Sequence, residues 1–148
     1  MTVARSQVPA GGTGRVVDTS VLVAAFSSWH EQHDVARGAL RDGAGVVGHA
    51  IAESYSVLTR LPEPHRAAPE LARDFLIEAC IGAPFILDAE GVRGLPARLV
   101  ACGVAGGATV DGLIALTAAS HNVTLLSLDR RAVDTYRRCG VRFELLAG

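Results

Sequence analysis

The sequence predicts an α/β domain, a central and mainly parallel sheet of about five short strands flanked by helices. Apolar runs of three or four residues, too brief for helices, recur along the chain, as in Gly45-Val46-Val47-Gly48 and Phe85-Ile86-Leu87. Longer stretches with helical spacing alternate with them, and glycine or proline punctuates most of the boundaries.

Val16-Val17 forms the first strand, ending near Asp18, and the apolar run Val21–Phe26 continues as a helix. Val35, Ala36, Ala39 and Leu40 share one helical face, which places an amphipathic helix over 31–42, closed by Gly43 and Gly45. The second strand is 45–48. A helix over 49–61 follows and stops at Pro62 and Pro64. Pro69 suits a first helical turn and opens a helix to about Cys80, with Leu71, Phe75, Leu76 and Ala79 inside it. Phe85-Ile86-Leu87 is expected as the third strand and 94–103 as a helix. Thr109 is expected to cap a helix running to about His121. Val123–Leu126 gives the fourth strand, 130–138 a short helix, and Val141–Leu146 a fifth strand at the sheet edge. Residues 1–14, with Pro9, Gly11, Gly12 and Gly14 and little apolar pattern, read as a flexible extension, so the folded domain is expected over 15–148.

The chain has 148 residues, of which 49% are hydrophobic, enough for one domain with a proper core. No apolar run approaches the length of a membrane span and the N-terminus lacks the apolar core of a secretory signal, so a cytoplasmic protein is expected. Cys80, Cys102 and Cys139 are odd in number and widely spaced, which argues against a disulfide framework or a zinc site. A net charge of −1 neither demands nor excludes a nucleic-acid partner. All 14 basic residues are arginine. With abundant Ala, Gly and Val, this points to a GC-rich genome. It also removes Schiff-base chemistry, a pyridoxal phosphate anchor and a Walker A loop, each of which needs a lysine.

Most of the 15 acidic residues lie in polar helical stretches near arginines. Four do not. Asp18 follows Val16-Val17, Glu53 lies within Ala50-Ile-Ala-Glu-Ser-Tyr-Ser-Val-Leu58, Asp111 within Thr109-Val-Asp-Gly-Leu-Ile114, and Asp129 follows Leu125-Leu-Ser-Leu128. A carboxylate among apolar neighbours faces a desolvation cost unless it is paired or metal-bound. The four also converge on the carboxyl edge of the predicted sheet, where open α/β sheets bind ligands. Each has an ordinary alternative: a turn for Asp18, an arginine partner for Glu53, a helix N-terminus for Asp111, a cap for Asp129. Clustered carboxylates repel one another unless a cation sits among them, and the cation suited to oxygen ligands is Mg²⁺ or Mn²⁺. Asp88 also ends an expected strand, but Glu90-Gly91 after it reads as loop, so it is assigned to a turn.

Rival constellations fail on spacing or composition. His30-Glu-Gln-His33 is one residue short of the i, i+4 histidine pair of zinc proteases. No Gly-x-Ser-x-Gly elbow occurs. A phospho-receiver domain needs a lysine, and an Asp-x-Asp phosphatase needs an acid where Ser20 stands.

The segments Val17-Asp-Thr-Ser-Val-Leu22, Ala52-Glu-Ser-Tyr-Ser-Val-Leu-Thr-Arg-Leu61, Val110-Asp-Gly-Leu-Ile-Ala115 with Thr117-Ala118, and Leu126-Ser-Leu-Asp129 resemble, in order and spacing, those of PIN-domain ribonucleases. More narrowly, they resemble the VapC-like toxins of type II toxin–antitoxin pairs. The resemblance runs from about residue 15 to the C-terminus. It implies a three-layer PIN-like sandwich and an acidic pocket for one or two divalent ions, held by Asp18, Glu53, Asp111 and Asp129. Ser20 matches a small polar position supporting the first aspartate, and Ser127 stands where Thr or Ser is frequent. The resemblance further implies an RNA substrate, a homodimer, and a small antitoxin protein that inserts a segment into the active-site groove. Two departures touch no proposed ligand: Gly112, expected in the pocket, replaces a slightly larger residue, and the N-terminal extension is longer than usual. The implied reaction is hydrolysis by a metal-activated water, leaving a 5′-phosphate and a 3′-hydroxyl. Arg130 and Arg131 are placed to steady phosphates or to serve as plain surface charges. A structure-specific DNA nuclease and a catalytically silent PIN-like binding module remain as alternatives.

Overall fold

The computed structural model describes residues 14–147. Of the expected extension over 1–14, residues 1–13 lie outside them. Gly14 already belongs to the fold, since its carbonyl accepts from the Thr124 N–H at 2.9 Å.

Among the described residues four strands form one sheet, in the order β2 (Gly45–Val46), β1 (Arg15–Val17), β3 (Thr124–Ser127), β4 (Phe143–Leu145). All pairings are parallel, with Val17 opposite Val46 on one side and Leu126 on the other. Val16, Val17, Leu125 and Leu126 have no exposed surface. Successive strand residues point to opposite faces, so burial of both members of each pair means that both faces of the sheet are covered. The cover is helical: α1 (Thr19–Phe26), α2 (His33–Arg41), α3 (Gly48–Thr59), α4 (Pro69–Ala79), α5 (Ala89–Arg93), α6 (Leu95–Ala101), α7 (Thr109–Ser120) and α8 (Val133–Arg138). α1 packs on α2, α3 and α4, and α7 packs on α6, α8 and β3.

Three expectations change. The strand expected at 85–87 is reduced to a single parallel bridge between Val47 and Phe85. The Phe85 N–H and C=O do pair with the edge, to Val46 and Gly48, at 2.9 and 2.7 Å. The next carbonyl, that of Ile86, instead bonds the His121 ring at 2.6 Å, and Asp88 then caps α5 by accepting from the Gly91 N–H at 2.7 Å. Beyond Phe85 the chain turns away from the sheet edge. Asp88 therefore starts a short exposed helix and lies away from the acidic cavity described below. Second, Thr109 is not a cap. It is already the first residue of α7, and the 3-10 turn Gly106–Ala108 leads the chain into the helix without a side-chain acceptor. Third, Leu71 of α4 is 59% exposed, whereas Leu76 of the same helix is buried.

This topology fixes where a ligand can sit. From β1 the chain first crosses to β2 on one side, and later returns to β3 on the other side of β1. The crevice beyond the carboxyl ends of β1 and β3 is thus a switch point of an open parallel sheet. Asp18 is the first residue after β1, and Asp129 is two residues beyond Ser127 at the end of β3.

Candidate active site

Asp18 is held from three directions. It caps α1: its Oδ1 accepts from the Val21 N–H at 3.2 Å and from the Ser20 hydroxyl at 2.5 Å. Its Oδ2 accepts from the Tyr136 hydroxyl at 2.7 Å. Only 2% of the residue is exposed. Burial raises its pKa, while the Ser127, Ser20 and Tyr136 hydroxyls and the Val21 N–H oppose that rise by favouring the carboxylate. Burial also raises the pKa of Tyr136, helped by the charge on Asp18, so the phenol stays a donor.

The two serines tie β3 to α1. The Ser20 hydroxyl, while donating to Asp18, accepts from the Leu128 N–H at 2.8 Å, and Ser127 accepts from the Asp129 N–H at 3.0 Å. Their hydroxyls are 3.4 Å apart. The loop carrying Asp129 is thereby set against the one carrying Asp18. Asp129 caps the 3-10 turn Arg130–Ala132, its Oδ1 accepting from the Arg131 N–H at 2.9 Å, with the exposed Arg131 guanidinium 3.6 Å away. Glu53, on the second turn of α3, accepts from the Thr19 hydroxyl and, among the described residues, not from an arginine.

Asp111 differs from the other three. It lies in the first turn of α7 and is half-buried, yet among the described residues it makes no hydrogen bond or ion pair. Its carboxyl is pushed up to about 6, first by burial and then by the charges of Asp129, Glu53 and Asp18, with Arg131 opposing. The charges of Asp129, Glu53 and Asp18 thus act on Asp111 as well as burial.

All four acids line one open cavity of about 720 Å³, walled also by Thr19, Ser20, Tyr136, Arg130, Arg131 and the loop residues His30, Glu31 and Gln32. The helices that bring Glu53 and Asp111, α3 and α7, touch each other directly. Gly112 is not part of the cavity, contrary to expectation. A side chain there would meet Leu99 and Val104, so the glycine allows α7 to pack closely on α6.

The donor set fits a hard divalent cation: four carboxylates, no thiolate or imidazole ligand among them, and repulsion that a positive charge would relieve. Among the described residues no three acidic, histidine or cysteine side chains already converge tightly enough to chelate an ion by themselves. Glu53 is turned to Thr19, and Asp129 to its own turn. Mg²⁺ does not require such convergence, since it keeps several waters and takes one or two carboxylates directly.

Sequence reasoning missed Thr19 and Tyr136. Tyr136 had a legible signal: Ala132, Thr135, Tyr136 and Cys139 share a buried helical face, and a buried phenol needs an acceptor. Thr19 carried none beyond its position next to Asp18.

A parallel sheet with both faces covered by helices, and an acidic crevice at its switch point, define a recognisable class. The PIN-domain family model matches residues 15–138, and the chain belongs to that family. Within it, the chain is 47% identical over 129 residues to Ribonuclease VapC40 of Mycobacterium tuberculosis, covering 87% of this chain and 96% of that protein. It is 43% identical over 133 residues to Ribonuclease VapC27 of the same species, covering 88% of this chain and 96% of that one.

Proposed function

We propose that this protein is a Mg²⁺- or Mn²⁺-dependent endoribonuclease and the toxin of a toxin–antitoxin pair. The observation that carries the proposal is Asp111, a half-buried carboxyl without a partner among the described residues, raised to about 6 by burial and by Asp129, Glu53 and Asp18 around an open cavity. The names of VapC40 and VapC27 as ribonucleases support RNA as the substrate.

On this reading Asp18, Glu53, Asp111 and Asp129 hold the ion. When bound, the ion supplies Lewis acidity and positive charge against the scissile phosphate. Asp18 would be the rigid ligand, oriented by Ser20, Tyr136 and the Val21 N–H. Ser127 fixes the loop that presents Asp129. Asp111 would be a further residue holding the ion, and its carboxyl would have to lose its proton to do so. Arg130 and Arg131, on the same cavity, pair with phosphates flanking the cut. Water attacks phosphorus in line, the bond to the 3′-oxygen breaks, and the fragments carry a 5′-phosphate and a 3′-hydroxyl. The same reading includes a folded domain spanning 15–148, a homodimer, a small antitoxin protein that inserts a segment into the cavity, and a cytoplasmic location. No single helix among the described residues is long and apolar enough to cross a membrane.

The test is mapping of cleavage ends in total RNA after brief expression, with Asp18→Asn as control. New 5′-phosphate ends that depend on Asp18 are expected. With the purified protein, chelation should stop cleavage and Mg²⁺ should restore it. RNA ends equally abundant in the control would contradict the proposal. Equal cutting of matched single-stranded DNA would move it to a DNA nuclease.

A further inference from the structure

The connection between α1 and α2 forms one wall of the acidic cavity, through His30, Glu31 and Gln32. Trp29 immediately precedes that wall and is the only tryptophan in the chain. It is 49% exposed. A single exposed aromatic is ordinary on a protein surface. This one stands in a row. Its ring lies 4.1 Å from that of His65, tilted by 32°, and 5.8 Å from that of His30, tilted by 43°. His30 is the member that reaches the cavity, so the row runs from the carboxylates outward.

The His30 end of the row is anchored by hydrogen bonds. The His30 N–H donates to the Ser27 carbonyl at 2.9 Å, and the His33 N–H donates to the His30 carbonyl at 3.0 Å. The Gln32 N–H donates to His30 Nδ1 at 3.0 Å, which orients that ring, and the His33 ring bonds the Ala24 carbonyl at 2.8 Å. The exposed half of Trp29 is open to a flat ligand. Arg130 and Arg131 line the same cavity, and phosphates held there would leave bases free to reach its α1–α2 wall. Proteins that bind single-stranded nucleic acid combine such cationic grooves with aromatic side chains on which bases stack.

We infer that Trp29, backed by His65, is a stacking platform for a nucleobase of the single-stranded RNA segment flanking the scissile phosphate. Trp29 is thus a positioning residue for substrate and takes no part in the chemistry. The inference rests on the nuclease reading above. Aromatic stacking accepts every base, so the platform sets the strand's path and leaves choice of sequence to other contacts.

Because Trp29 is the sole tryptophan, fluorescence of the full chain excited beyond the absorption of its two tyrosines reports on Trp29 alone. The probe is an end-labelled single-stranded oligoribonucleotide spanning a cut site from the end mapping, or one of mixed sequence if no site is found. It is titrated in the presence of chelator, and its anisotropy gives binding independently of the tryptophan signal. Quenching that saturates together with the anisotropy is expected. In cleavage assays Trp29→Leu should raise KM about 10-fold with kcat within about twofold, and Trp29→Phe should recover most of the loss. Binding without quenching, or cleavage by Trp29→Leu with unchanged KM, would overturn the platform while leaving the nuclease intact. Quenching without any cleavage would keep the platform and refute the nuclease. Unchanged fluorescence and unchanged KM together would overturn the inference.

Discussion

Asp111→Asn will abolish most cleavage and yet make the metal-free protein more stable at neutral pH. Both effects follow from the same carboxyl. It is half-buried, has no partner among the described residues and sits near 6, against 3.8 for a free aspartate. Between about pH 4 and pH 6 the folded protein keeps a proton that the unfolded chain has released. Stability therefore falls as pH rises through that window and stays lower above it. Asparagine removes the charge that is paid for in desolvation and in repulsion by Asp129, Glu53 and Asp18. The melting temperature should exceed that of the wild type at pH 7.5 in chelator, and match it at pH 4, where the wild-type carboxyl is protonated. Activity should fall by about 10²–10³-fold, the loss seen when one preorganised charge-stabilising group is removed from an active site. A variant less stable than the wild type at pH 7.5, or one that cleaves at full rate, would contradict this account of the residue.

Asp18→Asn should lose activity on a similar or larger scale, about 10³-fold, with little change in stability. The asparagine carbonyl can keep the bonds from the Val21 N–H and Ser20, and the amide then faces the Tyr136 hydroxyl, which rotates to accept. Loss of the buried charge offsets the poorer polar match, since burial was disfavouring the carboxylate in the first place. Tyr136→Phe should show the opposite balance. It takes a donor from a buried carboxylate, at about 1.5–3 kcal/mol of stability, and disorients the ligand at about 10–100-fold in activity. Chemical denaturation and initial rates on the same preparations separate the two patterns. Near wild-type rates for Asp18→Asn, or a Tyr136→Phe protein unchanged in both measurements, would contradict the assigned roles.

The alternation of short apolar runs with helical stretches made the parallel sheet legible, because strands buried on both faces must be apolar throughout, as Val16-Val17 and Leu125-Leu126 are. The four carboxylates were legible for a related reason, since each interrupts an apolar segment at an end of a strand or in an early turn of a helix. The short ladder at Phe85 was not, because the point where the chain leaves the sheet edge depends on contacts distant in sequence, among them the His121 ring on the Ile86 carbonyl 35 positions away. Gly112 was misplaced because sequence gives position on a helix without saying which neighbour that face meets, and here the neighbours are Leu99 and Val104. The orientation of Glu53 toward Thr19 and of Asp129 toward its own turn likewise depends on contacts that no local pattern encodes.

Calorimetric titration of the metal-free protein with Mn²⁺, at pH 7.5 and at pH 5, tests most directly whether the four carboxylates share a cation. The account requires binding at pH 7.5 and release of protons on binding. It also requires weaker affinity at pH 5, where Asp111 is protonated, and a loss of at least about 10-fold in affinity for Asp111→Asn at pH 7.5. No heat of binding at pH 7.5, or an affinity indifferent to both pH and Asp111, would contradict it.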